Sequence, residues 1–340
     1  MSKVLEIRSS PHVISGKSVD SIMFNVVLAL LPATGFAVYV FGMSALATIT
    51  IAVVACVGFE HLLCRSAGKR TTVDDWSAVI TGLLFGLTLP PGLPLWMVVV
   101  GSFIAIGLGK YLFGGLGYNV FNPALVGRAV LQATFPVAMT TWADGLLPNR
   151  FSELIPSTLT APFSKPELSV DVVSGATPLS AWKFEHQLPD TQDMVLGLTS
   201  GSAGETCAIL ILLGGAWLVA RKMMNWRIPV TILGTVAAIT AVLHALNPAA
   251  YPPPEFMLLS GGLMLGAVFM ATDMVGSPMT NAGCFVYGVL IGVLVVVIRL
   301  WGGMPEGVMY AILLGNAATP HIDMLIKPRV YGTKRKEVRT

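Results

Sequence analysis

Ten apolar runs divide the chain, and they constrain its fold more than any other feature. Charged residues make up only 11% of the 340 positions, whereas a soluble domain carries roughly 25%. Most of the runs reach the ~17–25 residues that a helix needs to cross a bilayer. The sequence therefore predicts an all-α, polytopic membrane protein, and it excludes a soluble enzyme and a nucleic-acid-binding protein.

The predicted spans fall into two groups of five, separated by a loop of about 65 residues. The third and fourth spans are short, so they are either broken or extend under the Pro90–Pro91 turn. The ten spans are Ile22–Phe41, Met43–Leu63, Trp76–Leu89, Pro94–Gly109, Asn119–Ala138, Gly204–Ala220, Ile228–Leu246, Met257–Val275, Cys284–Leu300 and Gly307–Ile326. The predicted segments are an N-terminus (1–21), a first transmembrane half (22–138), the loop (139–203), a second transmembrane half (204–326) and a C-terminus (327–340).

The positions of the basic residues predict how the spans are oriented. With both termini inside, the inner segments hold sixteen Lys and Arg residues, and the outer segments hold only Arg150, Lys165 and Lys183. Cytoplasmic segments of membrane proteins carry this excess of basic residues. We therefore expect both termini to be cytoplasmic and residues 139–203 to face the periplasm.

Two groups of five spans that enter from opposite sides have the topology of an inverted repeat. Span five carries Asn122-Pro123, and span ten carries Gly315-Asn316 and Pro320. These residues predict that both helices are interrupted at membrane depth, where free backbone groups must be satisfied by protein, cofactor or water.

The outer loop contains the most informative string, Asp171-Val-Val-Ser174-Gly175-Ala176-Thr177-Pro178. Its small residues leave room for a second molecule to approach the Thr177 hydroxyl. Pro178 biases Thr177 towards an extended backbone. An ordinary surface turn in a solvated spacer is the alternative interpretation of the same residues.

This string is similar to the flavinylation motif Asp-x-x-Ser/Thr-Gly-Ala-Thr, and the ten spans around it resemble the D subunit of the Rnf electron-transport complex. The homologous family is the B subunit of the sodium-pumping NADH:quinone oxidoreductase. The segments Gly117–Leu125 and Met270–Asn281 also resemble family segments, and the chain length agrees better with the Rnf family.

The resemblance implies a bacterial inner-membrane flavoprotein. FMN would be joined to Thr177 through a phosphoester by a flavin transferase that recognises Asp171, Ser174, Gly175 and Ala176. It also implies a noncovalent riboflavin, and partners comprising an NADH-oxidising subunit, ferredoxin-type subunits, two small membrane subunits and a second FMN subunit. Together they would couple electron transfer between NADH and ferredoxin to Na⁺ or H⁺ translocation.

Two alternatives stay open at this point. One is a channel or secondary transporter without a redox centre, and the other is the quinone-reductase family. The four cysteines are scattered without a CxxC pair, which argues against an iron–sulfur or zinc site in this chain. No residue of the chain is predicted to be catalytic or to bind a metal, so partners must supply the other redox centres.

Ionisable residues at membrane depth are functional candidates by default. Arg128 has two interpretations, a structural contact or a cofactor contact, and Asp273 is a weaker candidate for ion translocation. Arg299 and Asp323 lie near span ends, where side chains commonly snorkel to the interface. Glu60 is expected to be interfacial, at the inner end of span two.

Overall fold

A computed structural model describes residues 18–69, 71–162, 164, 175–205 and 208–328, without the side chain of Thr191. Every regular element of this part is helical, which confirms the all-α prediction. The α-helices are α1 Val19–Phe41, α2 Met43–Ser66, α3 Ser77–Thr88, α4 Leu95–Ile106, α5 Pro123–Thr134, α6 Pro136–Thr140, α7 Pro178–Glu185, α8 Thr191–Leu196, α9 Ala208–Ala220, α10 Arg227–Leu246, α11 Pro254–Leu259, α12 Leu263–Leu265, α13 Asn281–Trp301 and α14 Val308–Leu325. Short 3₁₀ turns cover Val73–Asp75, Pro156–Leu159 and Ala203–Glu205, and π-helical turns extend α4 (Gly107–Tyr111) and α12 (Gly266–Met270).

Four of these helices, α1, α2, α10 and α13, are long and apolar enough to cross a membrane by length and composition. Three further apolar helices are shorter, namely Ser77–Thr88, Leu95–Tyr111 and Ala208–Ala220. The polytopic class is therefore confirmed. The count of ten spans and the inverted repeat stay predictions.

The short helices α3 and α4 are joined by a proline turn that lies inside the protein. Leu89 and Leu93 on this turn are fully buried. The hydroxyl of Ser157 donates to the carbonyl of Gly92 (2.7 Å), and the hydroxyl of Thr48 donates to the carbonyl of Pro91 (3.3 Å). Non-helical backbone is tolerated at membrane depth when protein satisfies its polar groups, so neither helix has to span the bilayer alone.

Span eight is not the continuous helix that its apolar sequence predicts. It consists of α11, a break at residues 260–262, α12 and a π-helical turn. The guanidinium of Arg299 fills the break, since it donates to the carbonyls of Met257 (2.6 Å) and Ser260 (2.9 Å). Arg299 is only 2% exposed. The expected snorkelling of Arg299 is therefore wrong, because its charge satisfies the carbonyl end of α11.

The predicted interruption is correct for span five and wrong for span ten. Asn122 is the N-cap of α5, where its Oδ1 accepts from the backbone N–H of Ala124 (3.0 Å). In contrast, α14 continues through Asn316 and Pro320 without a break. Proline removes one i→i−4 hydrogen bond from a helix, and α14 remains helical on both sides of it.

The described part of the outer loop packs on the bundle. The backbone N–H of Ile155 donates to the hydroxyl of Ser44 (2.8 Å), and Nε of Arg150 donates to the carbonyl of Tyr39 (2.8 Å). Thr158 and Met194 of the loop are buried. These contacts contradict the interpretation of the described residues as a solvated spacer.

Candidate functional site

Thr177 begins helix α7. Its backbone is extended (φ −66°, ψ 152°), as Pro178 predicts, and its Oγ1 accepts from the backbone N–H of Ser180 (3.2 Å). The hydroxyl of Ser180 lies 2.9 Å from the same oxygen. A threonine N-cap followed by proline at the first helical position is a strong helix start. The helix therefore fixes the position of the Thr177 hydroxyl.

Helix α7 is anchored to the loop between α13 and α14 by one lysine. The Nζ of Lys183 donates to the carbonyls of Arg299 (3.2 Å), Gly302 (2.5 Å) and Met304 (3.0 Å). Partial burial lowers the pKa of Lys183. The ring of Trp182 packs 6.3 Å from that of Phe256. These contacts hold Thr177 against the bundle.

Gly175 packs closely against two other side chains of the loop. Its N–H donates to the carbonyl of Trp142 (3.0 Å). A Cβ at this position would collide with Asp144 and Ser200, which are joined by a 2.6 Å hydrogen bond. The missing side chain thus allows the motif to pack on this pair, while Ala176 is exposed.

The predicted motif residues Asp171 and Ser174 lie outside the described residues. Their proposed recognition by a transferase is therefore a prediction from the sequence alone.

A cavity of about 340 Å³ opens beside Thr177. It lies at the end of the bundle that is predicted to face the periplasm. Thr177 is 7% exposed and forms part of the cavity wall. The wall also includes two groups of residues, aromatic ones and charged ones: Trp142, Phe184, Tyr310, Arg128, Glu205 and Glu306.

The three charged side chains named above come from separate segments of the chain. Arg128 comes from the middle of α5, Glu205 from the turn before α9, and Glu306 from the loop before α14. Glu205 accepts from the hydroxyl of Ser202 (3.0 Å), and Glu306 forms an ion pair with Arg299 (3.2 Å). The positive charge of Arg128 acts on both carboxylates.

Glu306 is the best-supported carboxylate of the cavity. Burial raises the pKa of its carboxyl, but the guanidinium of Arg299, the backbone N–H of Val308 and the charge of Arg128 outweigh burial and hold the pKa below its usual value. Glu306 also accepts from the N–H of Gly307 (3.0 Å). It is therefore ionised at neutral pH and keeps one negative charge at the cavity wall.

The chemistry of this cavity fits a flavin nucleotide bound through its phosphate. The hydroxyl of Thr177 supplies an attachment atom at the positive end of α7, where phosphate groups bind favourably. The aromatic side chains suit a planar ring system. The Nε of Arg128 is buried and has no hydrogen-bond partner among the described residues, so it can donate to a polar group of a ligand.

A second cavity lies at the opposite end of the bundle, which is predicted to face the cytoplasm. Its wall includes Lys110, Asn119, Asn122 and Asp273. The amide of Asn119 donates to Asp273 (3.0 Å), and that of Asn122 donates to the carbonyl of Met270 (3.2 Å). These bonds join the start of α5 to the π-helical turn of α12.

Next to this inner cavity lies a buried ion pair that the sequence did not predict. The Nζ of Lys110 lies 2.7 Å from both carboxylate oxygens of Glu60 and 2.5 Å from Oγ of Ser77. Glu60 also accepts the hydroxyl of Thr72. Glu60 is only 2% exposed, so its carboxylate is bound by protein groups and not by solvent.

Sequence reasoning missed Glu205, Glu306 and Lys110 as residues of the two cavities. Glu306 follows a Gly-Gly-Met-Pro turn, and Lys110 follows a glycine-containing span end, so both resemble ordinary interfacial charges. The sequence does contain a feature that could have identified Glu205. It is an acidic residue at the start of an apolar span, where an unpaired charge would be costly.

The comparisons with known proteins settle the family. The model of the NQR2, RnfD, RnfE family matches residues 6–332 of the chain. The chain belongs to this family. The predicted resemblance is thereby confirmed over nearly the whole sequence.

Several relatives are similar over their full length. The chain is 43% identical to the D subunit of the proton-translocating ferredoxin:NAD(+) oxidoreductase complex of Clostridium ljungdahlii, covering 98% of this chain and 97% of the relative. It is 42% identical to the D subunit of the Na(+)-translocating ferredoxin:NAD(+) oxidoreductase complex of Acetobacterium woodii, with 97% and 96% covered. It is also 42% identical to the D subunit of the ion-translocating oxidoreductase complex of Stutzerimonas stutzeri, with 93% and 92% covered.

Proposed function

We propose that the chain is the D-type membrane subunit of an Rnf-type complex, which couples electron transfer between ferredoxin and NAD⁺ to Na⁺ or H⁺ translocation. Within that complex it carries FMN, joined to Thr177 through a phosphoester. The relatives' names support the complex and the reaction. The position of Thr177 on the wall of the outer cavity is the observation that carries the cofactor assignment.

The chain's own residues would hold the FMN in defined ways. The start of α7 would face the phosphate, and the cavity wall would enclose the ring. When bound, the flavin supplies the ability to pass electrons one or two at a time, and the protein supplies its position and electrostatics. A covalent bond would retain the cofactor on a surface that opens to the periplasm.

Mass spectrometry of the purified chain tests this assignment directly. The peptide that contains Thr177 is expected to carry the mass of FMN less one water, and fragmentation is expected to place the added mass on Thr177. An unmodified peptide from an active complex would contradict the covalent cofactor. The membrane extract of a strain that lacks the flavin transferase provides the unmodified control.

The two alternative functions receive less support. A channel or transporter without a redox centre has no need of a flavinylation motif, and the relatives are named as oxidoreductase subunits. The family model spans both the Rnf and the quinone-reductase proteins. The full-length agreement with relatives that are named as D subunits favours the Rnf type.

The proposed partners supply the redox centres that this chain is not predicted to hold. Electrons must reach this subunit from an NADH-oxidising subunit and ferredoxin-type subunits, and we include two small membrane subunits and a second FMN subunit in the proposed complex. A noncovalent riboflavin is also proposed. The apolar walls of the inner cavity and the amides of Asn119 and Asn122 support this cavity as its site, since ligand sites in helical bundles commonly combine such groups.

Substitution of Asp171 tests how the transferase recognises the motif. Asp171→Ala is expected to reduce the flavin on Thr177 severalfold at normal transferase levels. The carboxylate would help to bind the transferase, through a Mg²⁺ that favours oxygen ligands. Asp190→Ala, in the same loop, serves as the matched control. Flavin fluorescence at the wild-type level in Asp171→Ala would limit the recognised motif to residues 174–177.

Reporter fusions test the bacterial inner-membrane topology. A fusion after Thr340 is expected to show cytoplasmic sidedness, and an insertion near Glu167 is expected to show periplasmic sidedness. The sixteen-to-three distribution of basic residues is the basis of this expectation. A fusion after Lys222 provides a further cytoplasmic control. The same sidedness at both test sites would contradict the ten-span topology.

A further inference from the structure

The guanidinium of Arg128 is buried at the outer cavity, and its Nε has no hydrogen-bond partner among the residues that the structure describes. Arg128 is 7% exposed, and the same residues provide it with no ion pair within 4 Å. Removing a guanidinium from water without a compensating partner is costly. A buried guanidinium without such a partner is stabilised either by a bound ligand or by negative charge nearby.

The nearby negative charge is only partly available. Glu306 is engaged by Arg299 and by the backbone at the start of α14. Glu205 accepts from Ser202. Both carboxylates therefore act on Arg128 through space, and Arg128 lines the cavity that Thr177 also lines.

The depth of Arg128 is suitable for the ring of a cofactor that is attached at Thr177. Arg128 precedes the outer end of α5, Thr134, by six residues, which corresponds to about 9 Å along the helix axis. Thr177, at the start of α7, lines the same cavity as Arg128. A flavin attached at Thr177 and held in this cavity would therefore share it with the guanidinium.

We propose that Arg128 positions the electron-rich edge of the flavin ring and raises its reduction potential, with Glu205 opposing this effect. The inference rests on the proposed attachment of FMN to Thr177. A flavin gains negative charge density on reduction, and a fixed positive charge in a dry site stabilises that charge more than it stabilises the oxidised ring. In its ionised form, the carboxylate of Glu205 weakens the positive field, so it lowers the potential.

A redox titration of the covalent flavin in the intact complex tests the proposal. Arg128→Gln is expected to lower the midpoint potential enough to change the ratio of reduced to oxidised flavin at least tenfold, or about 30 mV for a two-electron couple. Arg128→Lys is expected to retain part of the effect, because it keeps the charge without the planar guanidinium. The absorbance of the flavin is the readout.

Glu205→Gln, titrated at alkaline pH where the wild-type Glu205 carboxyl is ionised, provides the decisive test of sign. Removing its carboxylate is expected to raise the midpoint potential, whereas general damage to the cavity would move both variants in the same direction. Arg150→Gln removes a positive charge at the same end of the bundle but outside the cavity wall, and its flavin is expected to keep the wild-type potential. An unchanged potential in Arg128→Gln, or shifts of the same sign in Arg128→Gln and Glu205→Gln, would overturn the proposal.

Two features of the experiment keep its outcomes separate. In-gel fluorescence measures the covalent flavin of every variant before the titration. A wild-type chain without flavin would overturn the proposed function, while a flavin-loaded chain with an unresponsive potential would overturn only the role of Arg128. If Arg128→Gln does not fold, Arg128→Lys and Glu205→Gln still give the opposite shifts that the proposal requires.

Discussion

Thr177→Ala is expected to lose all covalent flavin, so its band in a denaturing gel should show no flavin fluorescence. The hydroxyl is the only atom of this side chain that can form the phosphoester, and alanine lacks it. The change also removes the N-cap of α7, which costs about 1 kcal/mol. Thr177→Asn separates the two effects, because asparagine caps a helix well but cannot be esterified. Neither variant should therefore show flavin fluorescence.

Two controls sharpen this result. Thr160→Ala makes the same chemical change in the same loop, and its fluorescence should equal that of the wild type. Thr177→Ser keeps a hydroxyl and the helix cap, so partial or full labelling is compatible with attachment at residue 177. Undiminished fluorescence in both Thr177→Ala and Thr177→Asn would contradict attachment at this residue.

The sequence predicted most of the helices because apolar runs of sufficient length have few other stable structures in a bilayer. It failed where a local pattern depends on a distant side chain. The break between α11 and α12 is stabilised by Arg299, which lies about 40 residues further along the chain. Conversely, Pro320 was expected to interrupt span ten, and α14 continues through this residue.

The threonine motif of the candidate site could be predicted from the sequence, whereas the cavity wall around it could not. Thr177 and Pro178 form a local motif, so the extended backbone at Thr177 could be inferred from the sequence. The cavity wall combines Arg128, Glu205 and Glu306 from three segments that are far apart in the chain. Only the tertiary fold brings these charges together. The purpose of Gly175 also depends on tertiary packing, because the residues that it avoids lie in two other parts of the loop.

Lys110→Met is expected to destabilise the protein by roughly 3–5 kcal/mol, the typical cost of leaving one member of a buried ion pair without its partner. Both side chains of the pair are almost fully buried, at 4% and 3% exposure. Among the described residues, the carboxylate of Glu60 would then keep its hydrogen bond from the hydroxyl of Thr72 alone. Thermal unfolding in detergent, followed by the loss of the monodisperse peak in size-exclusion chromatography, measures the effect.

The double variant Glu60→Leu/Lys110→Met tests whether the loss comes from the unpaired charge. Replacing both members of a buried pair by apolar groups of similar size is often close to neutral, so the double variant should unfold at a higher temperature than Lys110→Met alone. Lys69→Met removes an exposed cation near the same end of the bundle, where its ammonium lies 5.6 Å from the ring centre of Tyr111. That control should stay close to the wild type, since exposed charges contribute little. A double variant as unstable as Lys110→Met would instead show that the packing of the lysine stem, or its bond to Ser77, is what stabilises the inner end of the bundle.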